Sequence, residues 1–141
     1  MRTALDRAAA RIAGKFDGQP EVEAGIRDTI GQTYIDLGLR QDGRKPLERA
    51  LELRRRVLGP DDPRTLKTGE HLAMVVSSAE AQVIYRHALT IQRRVLGPGH
   101  PDTLMSMQGL GGTYIMQGNY KLAAEILREA LGVLKFEILC S

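Results

Sequence analysis

The sequence predicts an all-α fold in which antiparallel pairs of helices stack into a solenoid. One observation is an internal repeat: LERALELRRRVLGPDDPRTL at residues 47–66 returns as YRHALTIQRRVLGPGHPDTL at 85–104, a shift of 38. A second is that apolar residues in both copies recur at steps of three and four, the period of a helix with one buried face. A third is the Gly-Pro pair that ends each pattern. Units of this kind bury a core by packing on their neighbours.

A second pair of related segments sets the length of the unit. GQTYIDLGLRQDGRKPLERAL aligns with GGTYIMQGNYKLAAEILREAL at a shift of 80, so successive units are 42 and 38 residues long. We expect a single domain, 1–141, of about three and a half repeats, each with a helix A followed by a helix B. The bounds are 1–16 for a leading half-repeat, 20–58 for repeat 1, 63–96 for a shortened repeat 2 and 101–138 for repeat 3.

Each helix is predicted from its apolar stripe, in chain order. The leading half-repeat has Leu5, Ala8, Ala9 and Ile12 on one face, and the A helices are expected at 20–38, 63–76 and 101–117. The B helices follow the three- and four-residue steps expected of an amphipathic helix. Their stripes are Leu47, Ala50, Leu51, Val57 and Leu58 in repeat 1, Ile84, Ala88, Leu89, Ile91 and Val95 in repeat 2, and Ile126, Leu127, Ala130, Leu131 and Leu134 in repeat 3.

The turns between repeats have the residues that end one helix and start the next. Gly59 and Gly97 stand where a left-handed C-terminal cap is wanted, and the following prolines forbid continuation. Asp62 and His100 then offer an N-cap before a proline at the first helical position. GPDDP and GPGHP are therefore predicted as turns between helix pairs.

The middle repeat has lost the turn between its own two helices. Compared with TYIMQGNYKLAAEIL, the segment MVVSSAEAQVIY lacks four residues between Val76 and Ser78. One interpretation is local: Ser77 to Glu80 spells the capping box Ser-x-x-Glu, which would start helix B at Ser77 after the last turn of helix A unwinds.

The other interpretation is one continuous helix over residues 66–96, because the apolar stripe runs on without a breaker. Such a helix would be roughly 46 Å long and would expose the faces on which helices A and B normally pack. Two chains could cover those faces by pairing antiparallel across a two-fold axis, as a domain-swapped homodimer. Its hinge would consist of Val76, Ser77, Ser78 and Ala79. The sequence leaves both interpretations open.

The repeated residues resemble the tetratricopeptide repeat. The resemblance rests on Gly31 and Tyr34, and on Gly111, Tyr114 and Gly118 in the third unit, while RRVLGPDDP and RRVLGPGHPDTL look like the longer kinesin-light-chain variety. That variety also occurs in large bacterial signalling proteins, including arrays that follow serine/threonine kinase domains. The resemblance implies a right-handed superhelix and a non-enzymatic scaffold, which would bind a peptide or protein partner on a concave face lined by the A helices.

The positions that face the concave groove in the family can be carried over to this sequence. They are Asp28, Gln32, Ile35, Asp36, Lys67, Glu70, Met74, Met105, Gln108, Gly112, Ile115 and Met116. The surface is mixed, with acid at one end and methionine at the other, and methionine adapts to an extended peptide or an amphipathic helix. The alternative for Met105 and Met116 is that they fill core. The lysine and asparagine set that grips a C-terminal carboxylate in some members is absent, so chaperone-tail binding is not expected.

The last segment, VLKFEILCS, leaves the repeat pattern where a further turn would be expected. Phe136, Ile138 and Leu139 suit a solvent-facing surface poorly. Three interpretations stay open. The segment packs back on the chain, it contacts another chain, or it belongs to an array that continues in a larger signalling protein.

Composition and motif spacing argue against catalysis and against a metal site. The three histidines, His71, His87 and His100, lack the spacing of metal ligands on one helix face. Ser77 and Ser78 lack the surroundings of an activated nucleophile, and GLGGTY lacks the lysine of a phosphate loop. We therefore expect no enzyme activity and no cofactor.

Nucleic acid, membrane and export are also not expected. The formal net charge of +3 is spread among acids, and the sequence has no tryptophan with which to stack bases. No apolar run approaches the roughly 20 residues that span a bilayer, and the charged start has no signal-peptide core. The single cysteine, Cys140, permits no internal disulfide. A cytoplasmic location is the expectation.

Overall fold

The computed structural model describes residues 2–140, which form seven α-helices and no β-strand. The helices are α1 (Arg2–Arg11), α2 (Pro20–Asp36), α3 (Arg40–Leu58), α4 (Pro63–Ala73), α5 (Ser78–Val95), α6 (Pro101–Met116) and α7 (Tyr120–Cys140). Within each of two compact units, helices that follow one another pack as neighbours, so the predicted all-α class and helix-pair arrangement are confirmed. The chain divides after Val76 into two compact units, α1–α4 and α5–α7.

The first unit is built around the pair α2 and α3, with α1 against α2 and α4 against α3. Ala24, Ala50 and Leu53 form a buried cluster. Gly31 of α2 lies so close to α3 that an added Cβ would overlap the side chain of Leu47. The two helices can approach this closely because helix A has no side chain at that point.

The second unit places α6 between α5 and α7. Gly109 of α6 lies against the ring of Tyr85, and Gly111 lies against Leu127, whose Cδ2 would be 2.7 Å from an added Cβ. Met107 and Leu110 are buried on the same helix. Of the stripes predicted for this unit, Ala88 and Leu89 are buried, whereas Val95, Leu131 and Leu134 are exposed, so the predicted stripes pack only in part.

The predicted inter-pair turns are confirmed. Gly59 and Gly97 have φ of 91° and 88°, the left-handed region in which only glycine is unstrained. Asp62 caps α4 by accepting a hydrogen bond from the backbone N–H of Arg64 at 2.9 Å. The His100 Nδ1 accepts from the backbone N–H of Asp102 at 3.1 Å and caps α6 in the same way.

The continuous helix over 66–96 is wrong for this structure. α4 ends at Ala73 and α5 begins at Ser78, with Ser77 as its N-cap. The Ser77 hydroxyl accepts from the Glu80 N–H at 3.3 Å, and the Glu80 carboxylate accepts from the Ser77 N–H at 3.1 Å, which completes the capping box. The missing residues are absorbed by helix A, since α4 has 11 residues where α6 has 16.

The last segment continues α7 as far as Cys140 without a break. Phe136, Ile138 and Leu139 are 65%, 74% and 72% exposed, so these three side chains do not pack back on the described part of the chain, whereas Glu137 lies against Gly99.

The capping box predicts the effect of removing its serine. We expect Ser77→Ala to lower the free energy of unfolding by about 1 to 2 kcal/mol, because two backbone and side-chain hydrogen bonds at the start of α5 are lost. Urea unfolding measures this, and Ser78→Ala, which removes a hydroxyl one residue later, is the matched control with a change within about 0.5 kcal/mol. A Ser77→Ala chain that gains helical signal and doubles its molar mass in light scattering would instead support the continuous helix.

Candidate protein-interaction surfaces

Arg54 joins three helices of the first unit. From α3, its Nη1 lies 2.6 Å from the Thr68 hydroxyl on α4 and 3.4 Å from the Asp28 carboxylate on α2. The other Asp28 oxygen is 2.9 Å from His71 Nδ1, also on α4. The side chains of Arg54, Asp28 and His71 are only 12%, 15% and 20% exposed. Partial removal from water strengthens such contacts, so Asp28 holds the helices together rather than facing a partner.

The predicted partner-binding residues of the first unit divide into buried and exposed groups. Ile35 and Glu70 are 8% and 3% exposed, so their side chains cannot contact a partner in this conformation. Gln32 donates a hydrogen bond to Asp36 at 3.2 Å on the same helix. The residues that keep part of their side chain at the surface are Gln32, Asp36, Lys67 and Met74.

The predicted residues of the second unit all lie on one exposed face of α6, which we call the α6 face. Met105, Ile115 and Met116 are 48%, 47% and 79% exposed. Gln108 and Gly112 lie between them in the helix and are exposed as well. The alternative that Met105 and Met116 fill core is therefore wrong. The steps along this face match one side of a helix.

Gly112 differs from the other two glycines of the motif. Gly109 and Gly111 leave no room for a Cβ, whereas an added Cβ at Gly112 meets no atom within 4 Å. Close helix packing therefore requires glycine at the first two positions only. A glycine inside a helix costs about 1 kcal/mol relative to alanine, and no contact in the second unit requires one at Gly112.

An apolar groove lies between α6 and α7 in the second unit, and we call it the α6/α7 groove. Its volume is about 690 Å³. Leu131 and Leu134 on its floor are 65% and 41% exposed. The lining residues are Gly99, Pro101, Leu104, Met105, Gln108, Leu127, Ala130, Leu131 and Leu134. Met105 and Gln108 thus belong both to the α6 face and to this groove.

A buried tyrosine ties a helix A to the preceding helix in each unit. Tyr34 of α2 donates a hydrogen bond to the carboxylate of Asp6 in α1. Tyr114 of α6 accepts hydrogen bonds from Arg86 of α5 at 2.8 and 3.2 Å. Both pairs are 28 residues apart in the chain. Burial, followed by the hydrogen bond to the Asp6 carboxylate, raises the pKa of Tyr34 to about 12.

Comparison with known protein families agrees with this geometry. Profiles of the tetratricopeptide repeat match residues 24–64 and 77–135. The chain is a tetratricopeptide repeat protein. The matched segments contain both glycine contacts and both tyrosine pairs apart from Asp6. The unmatched residues between them hold most of α4 and the break before Ser77, where this tetratricopeptide protein departs from the regular repeat. No curated protein matches the sequence at a significant level.

Two solved structures share the fold. One is a protein of Podosopora anserina described as a kinesin light chain with nearly identical tetratricopeptide-like repeats, with a TM-score of 0.81 and 20% identity over 97% of this chain. The other is BtubC (BKLC) from P. vanneervenii, with a TM-score of 0.75 and 20% identity over 94% of this chain. The chain spans 66% and 57% of the lengths of those two proteins. At this identity the likeness concerns the fold, which is kinesin-light-chain-like.

Two further properties of the described residues bear on function. None of their helices is both long and apolar enough to cross a membrane. Between Arg2 and Cys140, no three His, Cys, Asp or Glu side chains come together in a way that could hold a metal ion.

Sequence reasoning missed two features of the surfaces. The contacts of Arg54 with Asp28 and Thr68 join residues 26 and 14 positions apart, and the repeat pattern does not mark them, because Gln92 and Leu134 stand at the positions equivalent to Arg54 in the other repeats. The α6/α7 groove was also missed, although the apolar segment VLKFEILCS was a signal that the outer side of the last helix is unusual.

Gly111 and Gly112 of α6 predict opposite effects of adding a methyl group. Gly111→Ala lowers the free energy of unfolding by about 1 to 3 kcal/mol, because its Cβ collides with Leu127 and α7 has to shift. Gly112→Ala raises it by up to about 1 kcal/mol, because alanine favours the helix and meets nothing. Urea unfolding of the two variants side by side measures the difference. Equal effects at both positions would contradict the assignment of Gly111 to helix packing.

The Tyr34 phenol predicts a loss of stability at high pH. A pKa that is near 10 in the unfolded chain and about 12 in the folded one means that the folded state holds the proton more tightly. This contribution is complete below pH 10 and is lost as the pH rises toward 12, by at most about 3 kcal/mol. Urea unfolding between pH 9 and 12 should show the decline in the wild type and a smaller one in Tyr34→Phe. If the free energy of unfolding declines equally with pH in both chains, the Tyr34 phenol makes no such contribution.

Proposed function

We propose that this chain is a non-enzymatic scaffold that binds a peptide or protein partner through the exposed side of its A helices, and that the α6 face is the principal contact. The observation that carries the proposal is a set of exposed apolar side chains, Met105, Ile115 and Met116, on a helix whose opposite side is fully packed. Tetratricopeptide repeats in general mediate protein–protein interaction, which supports this choice.

The chemistry of the α6 face favours binding over catalysis. Its side chains are two methionines, an isoleucine and the amide of Gln108, and none of these is a general base or a nucleophile. Methionine side chains are flexible and polarisable, so they fit irregular apolar partners. Gly112 leaves the backbone of α6 open in the middle of the face, where a partner backbone can approach closely.

The exposed residues of the first unit are more polar and offer a second kind of contact. Gln32 and Asp36 supply an amide and a carboxylate, and Lys67 supplies an ammonium group. Such groups select partners and orient them more than they add affinity. We propose that they contribute specificity, with Met74, 41% exposed, as the apolar contact on that unit.

A self-associating module is the alternative function. A domain-swapped homodimer depends on the continuous helix, and the chain has instead a break with a complete capping box at Ser77. Fusing α4 to α5 would break both hydrogen bonds of that box, and the fused helix would leave apolar faces that only a second chain could cover. The partner we propose is therefore a different protein.

The proposal predicts that a charge on the α6 face abolishes partner binding. Peptides are selected from a displayed random library on the immobilised chain, and their affinity is measured by fluorescence anisotropy. Met116→Glu should weaken binding by about tenfold or more, because a carboxylate is placed in an apolar contact. The matched control is Val83→Glu, a similar change at a 70% exposed residue on the outer side of α5, which should leave the affinity unchanged. No saturable binder, or an equal loss in both variants, would reject the α6 face.

A further inference from the structure

The outer side of α7 has an apolar stripe and a row of basic residues next to it. Leu131 and Leu134 line the α6/α7 groove. Lys121, Arg128 and Lys135 are spaced seven apart, two helical turns, so they form one row along the helix. Arg128 and Lys135 are three and four residues from Leu131, which places the row at the edge of the groove. None of the three cations makes an ion pair or a hydrogen bond with the residues between 2 and 140.

The preceding B-type helix of the same unit shows what such cations do when a helix pair follows. Arg86 and Arg93 of α5 stand 42 residues before Arg128 and Lys135, one repeat earlier. Arg86 donates to the Tyr114 hydroxyl of α6, and Arg93 pairs with the Glu129 carboxylate of α7 at 2.6 Å. The cations of helix B thus hold oxygen acceptors of the helices that pack next to it. On α7 the equivalent cations, Arg128 and Lys135, hold no oxygen acceptor among residues 2–140.

The groove differs from its counterpart in the first unit in a way that selects the occupant. Leu134 stands where the first unit has Arg54, 80 residues earlier. In the first unit, Arg54 donates a hydrogen bond to the Thr68 hydroxyl of α4, the helix that covers that side. A helix with polar residues at that point would leave them without partners against Leu134. The α6/α7 groove therefore suits a helix with an apolar side chain there.

A second copy of α7 fits this surface poorly. When two α7 helices pair antiparallel about a two-fold axis, each basic row lies along the other. Lys121 then faces Lys135, and Arg128 faces its own equivalent, so like charges meet along the whole contact. Charge complementarity points instead to an acidic partner.

We propose that the α6/α7 groove binds an acidic amphipathic helix of another protein, with apolar side chains on Leu131 and Leu134 and with carboxylate or phenol oxygens opposite Arg128 and Lys135. This surface shares Met105 and Gln108 with the α6 face, but Met116 lies outside the groove, so a substitution there tests the proposed function without changing the groove. The mode is a helix in a groove, anchored at three- and four-residue steps.

The probe is a labelled synthetic helix of about 18 residues with leucines at three- and four-residue steps and glutamates along both edges of that stripe. Its control is the same peptide with lysine in place of every glutamate. We expect saturable binding of the acidic peptide in fluorescence anisotropy, about tenfold tighter or more than the basic one, and weaker in high salt. If neither peptide saturates, or if both bind equally, the proposal is overturned.

Variants of the chain test whether the peptide binds in the groove. We expect Leu131→Glu to weaken binding of the acidic peptide by about tenfold or more. We expect the same of the double variant Arg128→Glu with Lys135→Glu. Arg94→Glu, at an exposed arginine of α5 outside the groove, is the control for added negative charge and should change the affinity little. Met116→Glu should also leave it unchanged, so that this proposal and the proposed function fail separately. Unchanged binding in Leu131→Glu overturns the groove as the site.

Light scattering tests whether a second copy of the chain occupies the groove instead of a different protein. The wild-type chain is measured across a hundredfold range of concentration, with and without the acidic peptide, and circular dichroism checks that Leu131→Glu keeps its helix content. A dimer that is lost in Leu131→Glu would show that a second copy fills the groove and would overturn the proposal. A constant chain mass with saturable peptide binding supports it.

Discussion

The contact on which the fold depends is a leucine of helix B inserted against a glycine of helix A. Leu47 meets Gly31 in the first unit and Leu127 meets Gly111 in the second, and neither glycine has room for a methyl group. Burying a leucine contributes about 2 kcal/mol, and overfilling the same space costs a similar amount. The contact fixes which side of each A helix faces its partner. In the second unit it also determines that Met105, Ile115 and Met116 point away from the packed side of α6.

Polar contacts between pairs are more variable than the glycine contact, and they decide which helix can follow which. The buried tyrosine accepts either sign of partner, because a phenol both donates and accepts: Tyr34 donates to Asp6, and Tyr114 accepts from Arg86. Helix α4 lacks this tyrosine, since Val76 stands in its place in the repeat. That helix is held instead by Arg54. Each pair of neighbouring helices is therefore joined by its own polar contact. Arg128 and Lys135 of α7, which have no partner among residues 2–140, stand at the positions that make such contacts on α5.

The sequence predicts those parts of the fold that depend on residues close together in the chain, such as helix caps and turns, which recur from repeat to repeat. The caps at Asp62, Ser77 and His100 and the left-handed glycines depend on residues within a few positions of one another, so their patterns are visible in one dimension. The site was harder to predict. Family positions placed Ile35 and Glu70 on a binding face, yet both are buried, because burial depends on contacts between helices, which a position within the repeat does not specify.

The turn missing from the middle repeat shows how a local capping interaction can outweigh a continuous apolar stripe. The apolar stripe over 66–96 continues through Ser77, so pattern alone favours a single helix. A single helix, however, keeps its exposed faces out of water only by recruiting a second chain, and association costs at least about 4 kcal/mol of translational and rotational freedom. The break costs the last turn of α4, about 1 kcal/mol for each lost hydrogen bond, and recovers two of them in the capping box of Ser77 and Glu80. One chain can make that exchange alone, which favours the break at low protein concentration.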